Sequence, residues 1–185
     1  MKRILSIVVC LLLLTGCSRE DIGMQRAMNL RNALLQRAVT FDAAITADYG
    51  SYRCSFVLAC KADSKGLVEF TVKEPEAIAG ITGTISPTGG KLTFDGLSLG
   101  FELLADGEVS PVSAPWILIK TLRSGYLTSS GSDGQLLRIS IDDSYKEDAL
   151  HLDIWLTNED VPVRGEIYWQ GRRILSVAVS NFTFV

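Results

Sequence analysis

The chain has 185 residues, 47% of them hydrophobic, with 18 basic and 21 acidic side chains and a formal net charge of −3. That length fits one domain with its own core. The slight acidic excess excludes the basic footprint of a nucleic-acid binder and the polybasic patch that would hold a protein to anionic lipid.

In chain order, Lys2 and Arg3 lead into an apolar run from Ile4 to Leu14. Eleven residues are too few to cross a membrane, which takes about 20, but suit a signal-peptide core of about 7–15. The run ends in Leu14-Thr15-Gly16-Cys17, which resembles the lipobox of bacterial lipoproteins. The resemblance implies that residues 1–16 are a cleaved signal peptide and that Cys17 becomes the acylated N-terminus. Cleavage would remove Lys2 and Arg3, leaving 16 basic against 21 acidic side chains, a net charge of about −5. Membrane attachment would then rest on the lipid, each buried methylene contributing about 0.8 kcal/mol. Residues 17–23 read as the lipidated N-terminus and a short polar tether, and residues 24–185 as a single domain.

Met24 to Val39 has helical spacing, with Met24, Ala27, Met28, Leu34, Leu35 and Ala38 near one face and Leu30 and Arg31 blurring the stripe. A meander of strands follows: Phe41–Asp48, Tyr52–Ala62 and Leu67–Lys73, divided by Tyr49-Gly50-Ser51 and Asp63-Ser64-Lys65-Gly66. Glu74–Gly80 breaks the alternation with a proline and suggests one helical turn. Ile81–Ile85, Lys91–Phe94 and Leu97–Leu104 read as further strands, the first two joined by a hairpin over Ser86 to Gly90.

Ser113–Arg123 is the second helix, with Ser113 as a cap, Pro115 in the first turn and Gly125 beyond the end. Trp116, Ile117, Leu118, Ile119 and Leu122 make it apolar nearly all round, so it should be covered on most sides. The closing strands are Tyr126–Ser129, Gln135–Asp142, Ala149–Leu156, Val161–Gln170 and Arg173–Val185, with Pro162 marking a strand start or an edge.

No constellation for catalysis stands out. His151 is the single histidine, and the spacing places no partners beside it for a histidine metal site or a catalytic triad. Asp142-Asp143 and Asp153 read as solvated acids, and Arg172-Arg173 as a solvated hairpin tip. The Gly-rich turns do not open a helix with the Lys-Ser/Thr ending of a phosphate loop. Cys54 and Cys60, six residues apart on one strand, lie roughly 20 Å from each other, beyond disulfide reach, and read as free thiols. No enzyme activity, cofactor or metal is expected.

These elements make a mainly β, α+β fold. A curved antiparallel half-barrel of about 10–11 strands is wrapped around or covered by two or three helices. Two interiors are compatible with the pattern: an apolar cavity for a lipid-like ligand, or helices that fill the space.

The order of elements, the apolar helix after Pro111 to Pro115, and the tail Val161-Pro162-Val163-Arg164-Gly165-Glu166, Gly171-Arg172-Arg173 and Asn181-Phe182 resemble the LolA/LolB-like lipoprotein-carrier superfamily. The mature chain is also similar to a group of lipoproteins from Gram-positive anaerobes. That resemblance implies an incomplete barrel with a hydrophobic concave face covered by helices. The expected function is an extracytoplasmic protein, anchored in the cell membrane by lipid on Cys17, that binds or relays a lipid or acyl chain. The alternative is an envelope interaction or scaffold protein with a packed core and a protein partner.

Overall fold

The structure, a computed structural model, describes residues 18–102, 104, 105 and 108–185. Residues 1–17, which include the stretch read as a signal peptide and Cys17, lie outside the described residues.

Helix α1 (Ser18–Gln36) leads into the meander β1 (Val39–Asp48), β2 (Arg53–Ala62) and β3 (Val68–Glu74). A one-turn 3₁₀ helix (Glu76–Ile78) precedes β4 (Thr82–Ser86), β5 (Gly89–Phe94), β6 (Leu97–Phe101) and the small hairpin β7 (Leu104–Ala105) and β8 (Glu108–Val109). A second 3₁₀ turn (Pro111–Ser113) opens into α2 (Ala114–Ser124), and the chain closes with β9 (Tyr126–Asp133), β10 (Leu136–Asp142), β11 (His151–Leu156), β12 (Pro162–Trp169) and β13 (Arg172–Phe184).

Eleven strands form one sheet in the order β6-β5-β4-β3-β2-β1-β13-β12-β11-β10-β9, and every neighbouring pair is antiparallel. Each half of the sheet is a local meander, and among the described residues the one distant pairing joins β1 to β13. The sheet does not close, since β6 and β9 remain its edges. This is the open half-barrel read from the sequence.

Strand alternation divides the sheet into an inner face toward the helices and an outer face away from them. Rows of opposed residues follow the register. One inner row runs Ile139, Ile154, Gly165, Val177, Ile45, Phe56, and the next runs Ile141, Leu152, Ile167, Leu175, Ala47, Cys54. α2 packs against β2, β10 and β13, while α1 packs against β9, β10 and α2. Eight of the eleven residues of α2 are buried, as its all-round apolarity requires.

The first helix differs from its expected boundaries. It starts at Ser18, so the stretch read as a tether to Gly23 is helical, and it ends before Val39, which opens β1. Its buried stripe is Gly23, Ala27, Leu30 and Leu34, whereas Met28 and Leu35 are exposed. Leu30 therefore belongs to the core. Arg31 joins the two helices, donating from Nε to the Leu122 carbonyl at 2.8 Å and from Nη2 to the Gly125 carbonyl at 2.6 Å. Those carbonyls end α2 and would otherwise lack partners.

Candidate functional site

Three regions of the sheet could carry function, and they differ in what covers them.

The helix-covered part of the inner face is lined by buried side chains. Leu34, Ile45, Leu58, Leu118, Ile119, Ile139, Ile154 and Leu156 are each under 2% exposed. α2 is fixed above them by the β2–β3 turn. There, Asp63 Oδ1 accepts from the backbone N–H groups of Lys65, Gly66 and Leu67 at 2.7–2.9 Å. From α2, the Trp116 indole donates to the Gly66 carbonyl at 3.0 Å, and Arg123 donates to the carbonyls of Asp63 and Ser64. The Asp63 carboxyl lies below its ordinary value, because those backbone donors and the Arg123 charge outweigh burial, which by itself would raise it. Cys54 and Cys60 lie on this face as free thiols, Cys60 buried and its thiol pushed up mainly by burial.

Beyond β3 the inner face continues apolar; Ile85 on β4 is still fully buried, and exposure rises toward the β5–β6 hairpin. Its rows there are Ile85, Gly90, Phe101; then Gly83, Leu92, Leu99; then Phe94 and Leu97. Asp95 and Gly96 both have positive φ, 49° and 75°, the two-residue hairpin geometry that matches strand twist. This turn holds Phe94 and Leu97 side by side at the hairpin tip. Phe94 is 58% exposed, Leu97 77% and Leu99 65%. With Ile81 and Leu92 they line an open depression of about 270 Å³. Gly90 belongs to this geometry, because a β-carbon there would fall 2.0 Å from the Phe101 ring lying across it.

The outer face of β10–β13 carries a polar network that alternation alone does not reveal. Glu166 is 4% exposed. Its Oε1 accepts from Arg164 and from Arg173 Nη1 (2.7 Å), and its Oε2 from the Tyr168 hydroxyl at 2.5 Å. Burial alone would raise this carboxyl, but the three donors and the Arg164 charge hold it below its ordinary value. Tyr168 is pushed up to about 12, first by burial and then by its bond to Glu166. The Arg164 guanidinium also stacks 4.3 Å over Trp155, whose indole donates to Asp133 at 2.8 Å.

Next to this network stand His151, Asp142 and Asp153. His151 Nδ1 lies 2.7 Å from Asp142 Oδ1, and Nε2 lies 3.5 Å from Asp153 Oδ1. Asp142 and Asp153, read as solvated acids, are thus partners of the histidine: the β10–β11 register sets Asp142 opposite it, and Asp153 lies two residues along β11 on the same face. They do not form a nucleophile triad, because Ser140 donates to Asp153 at 2.6 Å and not to the imidazole. No group of three side chains suited to a metal ion occurs among the described residues.

Arg172 and Arg173 are exposed, as read for a solvated tip, and Arg173 in addition reaches back to buried Glu166. The alternation Arg164, Glu166, Tyr168 along β12 was the signal available for this cluster. Its partner from β13 depends on a register shift at Ile167/Tyr168.

No family model matches the chain, and no curated protein matches it either. Solved structures similar in fold include an uncharacterised conserved protein from Thermus thermophilus, at 10% identity over 88% of this chain and 87% of that one, with a TM-score of 0.49. A LolA superfamily protein from Nitrosomonas europaea is similar at 10% identity, covering 86% and 93%, with a TM-score of 0.43. The Mycobacterium tuberculosis lipoprotein LppX is similar at 9% identity, covering 87% and 93%, also with a TM-score of 0.43. These likenesses are in the path of the chain.

Proposed function

We propose that the chain is an extracytoplasmic protein, anchored in the cell membrane through lipid on Cys17, that holds or relays an apolar ligand such as an acyl chain. The ligand lies on the open end of the inner face, over β4–β6. A single observation carries this reading: the apolar surface buried under helices elsewhere is left open at Phe94, Leu97 and Leu99. A large exposed apolar patch is unusual on a soluble domain and marks an interaction site. At about 0.8 kcal/mol per buried methylene, a depression that covers only part of a chain gives a weak and reversible grip, which suits relay better than storage. The polar network around Glu166 has a structural role in this reading, and no catalytic step is assigned.

The test is photo-crosslinking of the full lipoprotein in its own membrane with a diazirine-bearing fatty acid. Adducts should map to residues 92–99 and fall several-fold in Leu97→Asp. Adducts distributed along the chain without enrichment there would sink the idea. The anchor is checked separately: Cys17→Ala should abolish acyl labelling and leave a precursor or a released protein.

The second reading is a scaffold for an envelope protein partner. The dense cover of α2 favours it, since eight of the eleven residues of that helix are buried against the inner face. A stoichiometric partner lost in Leu97→Asp, with no fatty-acid adduct, would select it.

A further inference from the structure

The outer face of β1–β5 holds a second depression, which no part of the acyl-chain reading uses. It encloses about 610 Å³, within the range of ligand sites. A neighbouring depression of about 510 Å³ shares Thr84 with it, so together they form a trough across β3–β6. The bulge in β13 contributes to its wall. The β1–β13 register shifts between Thr40 and Asp42, and Asn181, at φ 54°, donates from Nδ2 to Asp42 Oδ2 at 2.8 Å. Lys73 donates to both oxygens of the same carboxylate at 2.8 and 2.9 Å.

Three properties define what this trough can accept. First, its charges balance: Asp42, Glu69 and Glu102 face Lys61, Lys73 and Lys91. Neither an anion nor a cation is favoured. Second, its floor is hydroxylic. Thr71, Thr82 and Thr93 stand in one cross-strand row, with Thr40 and Thr84 nearby. Threonine suits strands in any case, but the hydroxyls of Thr40, Thr71, Thr84 and Thr93 have no hydrogen-bond partner among the described residues, and each can both donate and accept. Asn181 keeps a second side-chain amide hydrogen and its Oδ1 available, its backbone carbonyl accepting from Thr183. Third, β1–β5 are paired on both sides, so apart from the free side of β6 and the bulge at Asn181 the trough offers side chains and little unpaired backbone. A bound peptide is usually held by a sheet edge or an apolar groove, and the trough supplies neither along most of its length.

From this we infer that the outer trough centred on Asp42, Asn181 and Thr84 binds a neutral, polyhydroxylated ligand, a short stretch of uncharged oligosaccharide. Two adjoining depressions suit several sugar units better than one. The protein would then have two opposed faces, one apolar and one for glycan.

The experiment uses the full lipoprotein in nanodiscs with ¹³C-labelled threonine methyls. The probes are neutral tetrasaccharides (cellotetraose, chitotetraose, maltotetraose and mannotetraose), with a uronic-acid tetrasaccharide and a Ser/Gly/Asn decapeptide as contrasts. At least one neutral tetrasaccharide should shift the Thr71, Thr84 and Thr93 methyls saturably, with a Kd of about 1 mM or tighter. Asn181→Ala and the near-isosteric Thr84→Val should each weaken it about tenfold, the loss of one good hydrogen bond. Both variants should still give fatty-acid adducts at the β5–β6 hairpin, which separates loss of this site from misfolding and from failure of the acyl-chain reading. Silence from all four neutral sugars overturns the inference, as does stronger response to the charged tetrasaccharide or the peptide, or equal binding by both variants.

Discussion

The two ends of the sheet present the same kind of inner face in different surroundings. Over β9–β13, β1 and β2, the residues Ile139, Leu152, Ile154 and Leu156 are covered by two helices and fully buried. Over β4–β6, Leu92, Phe94, Leu97 and Leu99 continue the same alternation with little above them. Apolar alternation therefore makes a face, and coverage decides whether that face becomes core or binding surface. The covered end belongs to the buried core, and the open end is where the proposed ligand would enter and leave.

Substitutions at the two ends should separate these roles. The largest effect is expected at the covered end, where Leu152→Ala should lower stability by about 3 kcal/mol, the usual loss for a buried leucine that leaves a cavity, measured by urea unfolding. Glu166→Gln comes next. It removes the charge that Arg164, Arg173 and Tyr168 surround, and should cost about 1–3 kcal/mol at neutral pH.

That loss is pH-dependent with a definite sign. The folded Glu166 carboxyl lies below its ordinary value, so its contribution is present above the unfolded pKa and disappears as pH falls through the folded one. Wild type and Glu166→Gln should converge as pH drops below about 4. Parallel curves down to acid would remove the assigned role of the carboxylate.

At the open end the effects on stability shrink. Gly90→Ala should cost about 1 kcal/mol, because the new methyl displaces the Phe101 ring. It should also alter the depression beside Leu92. Leu97→Asp, at a site 77% exposed, should change stability by no more than about 0.5 kcal/mol while removing fatty-acid adducts from the hairpin. A destabilisation comparable to Leu152→Ala would mean that the hairpin is core, and the contrast between the two ends would fail.

Much of the architecture was legible in local pattern. Alternation located nearly every strand, and Trp116 to Leu122 marked a helix that had to be buried. Pro162 opens β12, as expected of a proline at a strand start. The first helix was harder to read, because Leu30 and Arg31 looked like breaks in an amphipathic stripe. Leu30 packs in the core and Arg31 caps the neighbouring helix, a role fixed by a partner 91 residues away. Candidate sites were less legible still. Asp142 meets His151 only through strand register, whereas Asp153 is its neighbour two residues along β11, and Arg173 reaches Glu166 across a register shift. The apolar hairpin at Phe94–Leu97 was visible only as strand residues.

Spacing and composition alone set the inner and outer faces and an apolar helix that has to be covered, and they lead to the expectation of a lipidated Cys17. These are properties of spacing and composition over a few residues, where backbone geometry dictates which side chains share a face. The tertiary structure decided which stretch of the inner face is covered, which acid is buried among arginines, and where the outer face hollows into a trough. Coverage, burial and curvature arise from segments far apart in the chain, so no local period encodes them.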